Sequence, residues 1–261
     1  MLLFTEQPGC FNNGVNYNAK IRRSNYFSII CAANKKGGGM EIIMITWKDV
    51  VNDEAVRTYI KKADESLVAL GYTEHSFPHV GKVAELAGSI LTTLGYPERD
   101  VELAKIAGYL HDIGNVINRV DHAQSGAVMA FRILDRLGME PEEISTVITA
   151  IGNHDESTAC PVNPVAAALI LADKTDVRYT RVRNQDPSTF DIHDRVNFSV
   201  KQSEVYVVNG SHIELNLVID TTVCAVMDYF EIFMGRMILC RKAAEKLALD
   251  FRLVINGQRI L

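Results

Sequence analysis

Leu110-His111-Asp112-Ile113-Gly114-Asn115 is the stretch from which the rest of the chain can be read. An apolar segment runs into a histidine, directly followed by an aspartate and then, one residue later, by a glycine. In mid-helix, adjacent side chains point about 100° apart and do not face each other. In a last turn, with Gly114 letting the chain turn away, both can fan toward one point. That point lies at the negative end of the helix dipole, which favours a cation. Imidazole plus carboxylate suits zinc or a divalent transition metal, so this stretch supplies half of a metal site.

Working outward, partners for that half-site recur at helical spacing. Pro78 suits the first turn of a helix, and His79 lies four residues before Val83, on the face that continues through Leu86, Ile90 and Leu94. Residues 61–70 form the preceding helix, closed by Gly71. Pro97 opens the helix that leads to His111 through Val101, Ala104, Ala107 and Leu110. Asp121 has the form of an N-cap with Gln124 as its capping-box partner, which puts His122 in the first turn and Gly126 four residues on. Pro141 starts another helix with Ile144, Val147, Ile148 and Ile151 on one face, and His154 extends that face at the helix end. Pro164 opens the last helix of this set, where Leu169 and Asp173 are four apart. A carboxylate on an apolar stripe is costly unless paired or ligated. A lone histidine on such a stripe is ordinarily a core residue, but here four of the seven histidines share the pattern.

The bulk numbers bound the rest. The chain has 261 residues, 48% hydrophobic and 23% charged, enough for one large domain with a sizeable core. Lys plus Arg is 27 against Asp plus Glu 32, a net charge of -5, which argues against broad nucleic-acid binding. Five cysteines without CxxC spacing look like reduced residues, not a disulfide framework. No apolar run reaches the length of a membrane span, so the expectation is a cytoplasmic protein with no membrane partner.

The two ends differ from the middle. Residues 1–39 show no sustained period, and Lys35-Lys36-Gly37-Gly38-Gly39 before Met40 is what a translated ribosome-binding site would encode. The expectation is a native start at Met40 or Met44, with 1–39 a non-native or disordered extension. Residues 45–183 form the helical domain. After a polar loop at 184–194 the period becomes two. Val196, Phe198 and Val200 alternate, then Val205 and Val207, then Ile213, Leu215, Leu217 and Ile219 beyond an Asn209-Gly210 hairpin turn. A long helix over about 221–247 and a short strand at Phe251, Leu253 and Ile255 complete a small α+β tail over 184–261. The fold class is therefore mainly α, a helical bundle with an α+β carboxy-terminal subdomain.

The order His79, His111-Asp112, Asp173 resembles the HD superfamily of metal-dependent phosphohydrolases, and His122 and His154 match its binuclear subgroup. The wording around them agrees: Pro78-His79-Val80, Leu110 to Gly114, Leu171-Ala172-Asp173-Lys174, and a short gap from Asp112 to His122 followed by Gly126-Ala127, as in the HD domains of ribonuclease Y and HD-type dinucleotide hydrolases. The resemblance covers roughly residues 55–180. It implies that His79, His111, Asp112 and Asp173 hold one metal and that His122 and His154 hold a second, with Asp112 bridging. The cofactors implied are two divalent transition metals, iron or manganese first, with zinc, cobalt or nickel as further choices. Two such cations can share a water, lower its pKa and clamp both oxygens of a phosphoryl transfer. The implied activity is cleavage of a phosphomonoester or phosphodiester in a small nucleotide-like substrate by a metal-bridging hydroxide, with His111 and Asp112 at the centre of the chemistry.

One departure bears on substrate binding. Many relatives carry a lysine three residues after the Asp of the pair, where this chain has Asn115. Lys82, Lys174, Arg178, Arg181 and Arg183 are the cations expected to stand in for it. His75 beside Glu74 is weighed as a general acid at the site mouth, while His193 and His212 are read as structural. Two other readings stay open: a di-iron HD-type oxygenase with the same ligand set, and a non-catalytic HD scaffold, which would be expected to have lost ligands. The tail is expected to cover the site or to form a homodimer.

Overall fold

The computed structural model describes residues 44–184 and 186–261. The expected extension at 1–39 lies outside the described residues. The first helices are α1 (Trp47–Asn52) and α2 (Glu54–Ala69), followed by α3 (Phe77–Thr93) and α4 (Glu98–Leu110). Asp53 starts α2 by accepting from Val56 N, so that helix begins well before the residues 61–70 that its pattern marks. After α4 the chain makes a 3-10 turn over Ile113–Val116 and continues into α5 (His122–Leu137), α6 (Pro141–Gly152) and α7 (Pro164–Lys174).

Helix α7 is the axis of the bundle. Ten of its eleven residues, all but Pro164, are buried, against α3, α4, α6 and α9 (Val226–Lys246). A helix apolar all round belongs in an interior, and the run Val165-Ala166-Ala167-Ala168 keeps neighbouring helices close. Helices α3 and α4 approach closely for a similar reason: a Cβ on Gly108 would lie 2.7 Å from Ala84 Cα.

Gly114 does something other than turn the chain. Its φ is not positive, and a Cβ there would lie 2.0 Å from His122 O and 2.5 Å from Gly126 N. The missing side chain lets the 3-10 turn press against the start of α5, which brings His122 up to Asp112. The Asp121 capping box is not formed: Asp121 takes a left-handed φ of 56° and makes no side-chain cap. Gln124 reaches instead to Gly152 O and Thr158 Oγ1, tying α5 to the loop after α6.

The tail packs on the bundle through α9 and through α8 (Ile192–Ser199). Helix α8 corrects the period-two reading of Val196, Phe198 and Val200. Asp191 caps Asp194 N and starts a helix that buries Val196, and Val200, four residues on, is buried where β1 begins. Strand β1 (Val200–Val208) pairs antiparallel with β2 (His212–Ile219) across Asn209-Gly210, both at positive φ as a type I′ turn requires. Helix α9 then crosses over to β3 (Asp250–Ile255), parallel to β2, and β4 (Gln258–Arg259) closes the order β1-β2-β3-β4. The long helix begins at Val226, not near 221, because Asp220 binds Thr222 N and Oγ1 in a turn that precedes it. Leu215, Leu217, Leu253 and Ile255 form the sheet's buried face. Among the described residues no helix is long and apolar enough to cross a membrane.

Candidate metal centre

Four imidazoles meet at the ends of four helical segments, and each is anchored through Nδ1. His111 Nδ1 donates to Gly108 O at 2.8 Å, His122 Nδ1 to Arg119 O at 3.0 Å, and His154 Nδ1 to Ile151 O at 2.6 Å. In each case the acceptor is the carbonyl three residues back, a local device that turns the ring inward where the helix starts or stops. His79 lies in the first turn of α3 and uses a side chain instead, donating from Nδ1 to Asp176 Oδ2 at 2.8 Å. Carbonyls and carboxylates only accept, so each Nδ1 carries a proton and Nε2 is the atom left to face the centre. The Nε2 atoms of His79, His111 and His154 are buried with no hydrogen-bond partner. Unpartnered buried polar atoms are costly unless something binds them.

The two carboxylates lie among those nitrogens. Asp112 Oδ2 is 3.2 Å from His111 Nε2 and 3.6 Å from His79 Nε2, while its Oδ1 is 3.5 Å from His122 Nε2. Its two oxygens thus face two groups of histidines. Asn115 Nδ2 donates to the same Oδ1 at 2.9 Å and to Asp112 O, which fixes the carboxylate plane. Asp173 Oδ1 lies 3.4 Å from His79 Nε2 and 3.6 Å from His111 Nε2, with its Oδ2 held by Lys174 Nζ at 2.7 Å. His79, His111 and Asp173 place ligand atoms within 4.8 Å of one another, as do His111, Asp112 and His154. His122 joins them through Asp112 Oδ1 and through its ring, 5.1 Å from that of His154. All six residues singled out by spacing are therefore brought together.

The electrostatics are those of a site short of positive charge. Burial opposes ionisation of Asp112, yet His111 and the other imidazoles hold its carboxyl well below the usual range. Asp173 is held low against burial by Lys174 and His111. Burial likewise opposes a charge on His111, but Asp112 and Asp173 outweigh it and push that imidazole up to about 10. His154, buried and facing His111 and Lys174, is driven down to about 3. With every Nδ1 tied off, the remaining nitrogens and carboxylate oxygens form a hard-to-borderline N/O donor set that fits divalent transition metals.

A cavity of about 480 Å³ opens on this cluster at Asp112, His122 and Asp173. Tyr72, His75, Arg119, Lys174 and Arg181 line it from the bundle. Helix α8 adds Asp191, His193, Asp194 and Asn197, and α9 adds Phe233 and Arg236. His193, read from sequence as structural, is on this wall. His212 is not: it pairs with Arg252 within the sheet.

The expected phosphate-binding cations divide. Lys174 and Arg181 line the cavity. Lys82 and Arg178 do not; both are drawn to Asp176 Oδ1 at 2.8 Å, and Lys82 opens on a separate cavity beside β1. Arg183 pairs with Asp64. Two residues escape the sequence reading. Asp176 is fully buried and anchors His79, three residues beyond Asp173. Arg119 lies three residues before His122 with Nη1 3.3 Å from Asn115 Oδ1 and 3.9 Å from Asp112 Oδ1. Their offsets from ligands were the only signal available.

Comparison with known proteins agrees with this geometry. Residues 76–178 match the HD domain family model, so that part of the chain is an HD domain. An uncharacterised protein of Methanocaldococcus jannaschii is 25% identical over 198 residues, 66% of this chain and 75% of its own length. Ribonuclease Y of Oceanobacillus iheyensis is 37% identical over 104 residues, 39% of this chain but only 18% of that protein. Ribonuclease Y of Thermosipho melanesiensis is 32% identical over 121 residues, 46% of this chain and 22% of that protein. A solved structure titled as a predicted HD superfamily hydrolase, from an uncultured Thermotogales bacterium, overlaps 48% of this chain and 67% of its own at 24% identity and a TM-score of 0.38.

Proposed function

We propose that this protein is a metal-dependent phosphohydrolase that releases phosphate from, or cleaves a phosphodiester in, a small nucleotide-like substrate. The observation that carries this reading is the convergence of three unpartnered Nε2 atoms and two ionised carboxylates beneath a cavity lined by arginine and lysine. His79, His111, Asp112 and Asp173 would hold one metal, and His122 and His154 the other, with Asp112 shared.

Bound there, divalent metals supply water activation and neutralise charge on a phosphoryl group. The chain's own groups do the rest. Asn115 keeps Asp112 in one plane, so its two oxygens serve both halves of the centre. Lys174 and Arg119 flank the carboxylates and favour an anionic group over a neutral one. His75 lines the cavity and donates from Nδ1 to Thr73 O; burial and Arg181 keep that ring neutral, so its other nitrogen is available to accept from a substrate hydroxyl. The volume suits a small molecule. The net charge of -5 and the acidic residues of α8 on the cavity wall weigh against a polyanionic chain such as RNA, even though ribonuclease Y is among the relatives.

The test is metal analysis of the purified full chain, followed by a screen of phosphorylated metabolites and aryl phosphate esters with manganese, iron, cobalt and nickel. Phosphate release that Asp112→Ala abolishes together with both metals is the expected result, with His122→Ala losing one metal and most turnover. Bound metal without turnover of any phosphate ester sinks the reading, and oxygen uptake by iron-loaded protein transfers it to the oxygenase class.

A further inference from the structure

Four cations line the cavity, and three of them are already committed. Lys174 Nζ sits 2.7 Å from Asp173 Oδ2. Arg181 is buried and spends its guanidinium on the carbonyls of Asp176 and Glu74. Arg236 Nε is 2.5 Å from Glu156 Oε1, a tether between α9 and the loop after α6. Arg119 differs. Its hydrogen bonds go only to neutral acceptors: the amide oxygen of Asn115 at 3.3 Å and, at 3.5 Å, His122 Nε2. The nearest carboxylate oxygen, Asp112 Oδ1, is 3.9 Å away and is already held by Asn115 Nδ2 at 2.9 Å. The guanidinium is still not loose. Its carbon lies 5.5 Å from the centre of the Tyr72 ring, a cation–π contact at the cavity wall.

The second oddity is what Arg119 faces. Its Nη1 lies 3.5 Å from His122 Nε2, the lone pair that the phosphohydrolase reading assigns to a metal. A fixed cation set this close to a divalent cation is unfavourable on its own, because like charges repel at short range. The arrangement becomes favourable when an anion occupies the space between them. A guanidinium offers two parallel N–H donors that match phosphate oxygens.

We infer that Arg119, braced by Tyr72 and Asn115, is the residue that anchors the substrate's phosphate beside the His122 half of the metal centre. The inference rests on the phosphohydrolase reading and adds the identity of the anchoring group. It also accounts for Asn115: a neutral amide orients both Asp112 and Arg119 without a competing charge.

The experiment measures inhibition by inorganic phosphate, and KM and kcat on an aryl phosphate ester, for the metal-loaded full chain and for Arg119→Gln and Arg119→Lys. Glutamine keeps the aliphatic stem and a polar end but removes the charge, which limits the risk of misfolding. A charge-assisted contact to phosphate predicts an inhibition constant raised about tenfold to a hundredfold in Arg119→Gln. Metal content should be unchanged, KM should rise more than kcat falls, and Arg119→Lys should recover part of the loss. Phosphate inhibition within about twofold of wild type overturns the inference, and so does a loss of metal from Arg119→Gln, which would make the arginine a support for His122. If wild type neither binds phosphate nor releases it, the phosphohydrolase reading itself falls and takes this inference with it. Turnover in wild type with Arg119→Gln indistinguishable from it removes the inference alone.

Discussion

Asp176 Oδ2 accepts the Nδ1 proton of His79 at 2.8 Å, across 97 residues of sequence, with both side chains fully buried. This pair sets the tautomer of the only centre histidine that lacks a carbonyl anchor. Asp176 can remain ionised there against burial because His79, Arg181 and Arg178 surround it and hold its carboxyl far below the usual range. Lys82 adds a further contact at 2.8 Å.

Replacing Asp176 should therefore weaken metal binding without touching a ligand. Outer partners of ligating histidines are typically worth about 10–100-fold in metal affinity. Asp176→Ala is expected to lose affinity in that range by titration with manganese or cobalt, and Asp176→Asn less, since an amide oxygen still accepts from Nδ1. Both variants should melt earlier, because Lys82, Arg178 and Arg181 lose their counter-charge. Wild-type affinity in Asp176→Ala would mean that His79 needs no such support.

The protonation of His111 gives metal binding a pH dependence with a definite sign. In the metal-free protein this imidazole stays charged until pH approaches about 10, held up by Asp112 and Asp173 against burial. A metal must displace that proton, so apparent affinity should climb about tenfold per pH unit from neutrality toward pH 10 and then level off. His154, held near 3, and His122, also lowered, have no proton to give up in this window. Metal-free stability runs the other way. A folded-state pKa raised above the ordinary 6.5 stabilises fully below that value and is lost as pH rises through about 10. Calorimetry in buffers of different ionisation enthalpy reads the released proton directly, and release of none at pH 7.5 contradicts the assignment.

Gly114→Ala should damage the fold more than the chemistry of its side chain suggests. The added methyl would meet His122 O at 2.0 Å and Gly126 N at 2.5 Å, both backbone atoms that cannot rotate away. Overpacking costs about 1–3 kcal/mol where neighbours adjust, and this contact belongs at or above the upper end. At about 2–4 °C per kcal/mol for a chain of this size, the melting temperature should fall by roughly 6–12 °C or more. Gly71→Ala is the comparison: its φ of 81° costs strain, but a Cβ there meets nothing within 4 Å. Equal losses from the two would show that close approach at Gly114 is not what matters.

Much of the centre was legible because each ligand sits on, or directly after, a helix whose own pattern could be read. His79, His154 and Asp173 continue apolar faces defined by Val83, Ile151 and Leu169, so local periodicity places them inward. What escaped is set by long-range geometry. The spacing of Lys82, Arg178 and Arg181 from the ligands does not tell which side of Asp176 each will occupy, and only Arg181 reaches the cavity. Arg119 precedes its ligand in an irregular turn with no period at all. The reading of α8 failed for a different reason. Three alternating residues also satisfy a four-residue spacing, and the Asp191 cap decides for the helix.

Removing metal should expose how far the fold leans on it. The centre buries two ionised carboxylates and leaves three imidazole nitrogens unpartnered, costs that a bound cation relieves. A ligand present at a hundred times its dissociation constant stabilises by about 2.7 kcal/mol, equivalent to roughly 5–11 °C at this size. Manganese or cobalt should therefore raise the melting temperature of chelator-treated protein by that amount or more, with two occupied sites adding to one another. His122→Ala should keep about half of the gain, and Asp112→Ala none. A melting temperature indifferent to metal, in protein shown by elemental analysis to be loaded, would place the bound ions somewhere other than between His79, His111 and Asp173.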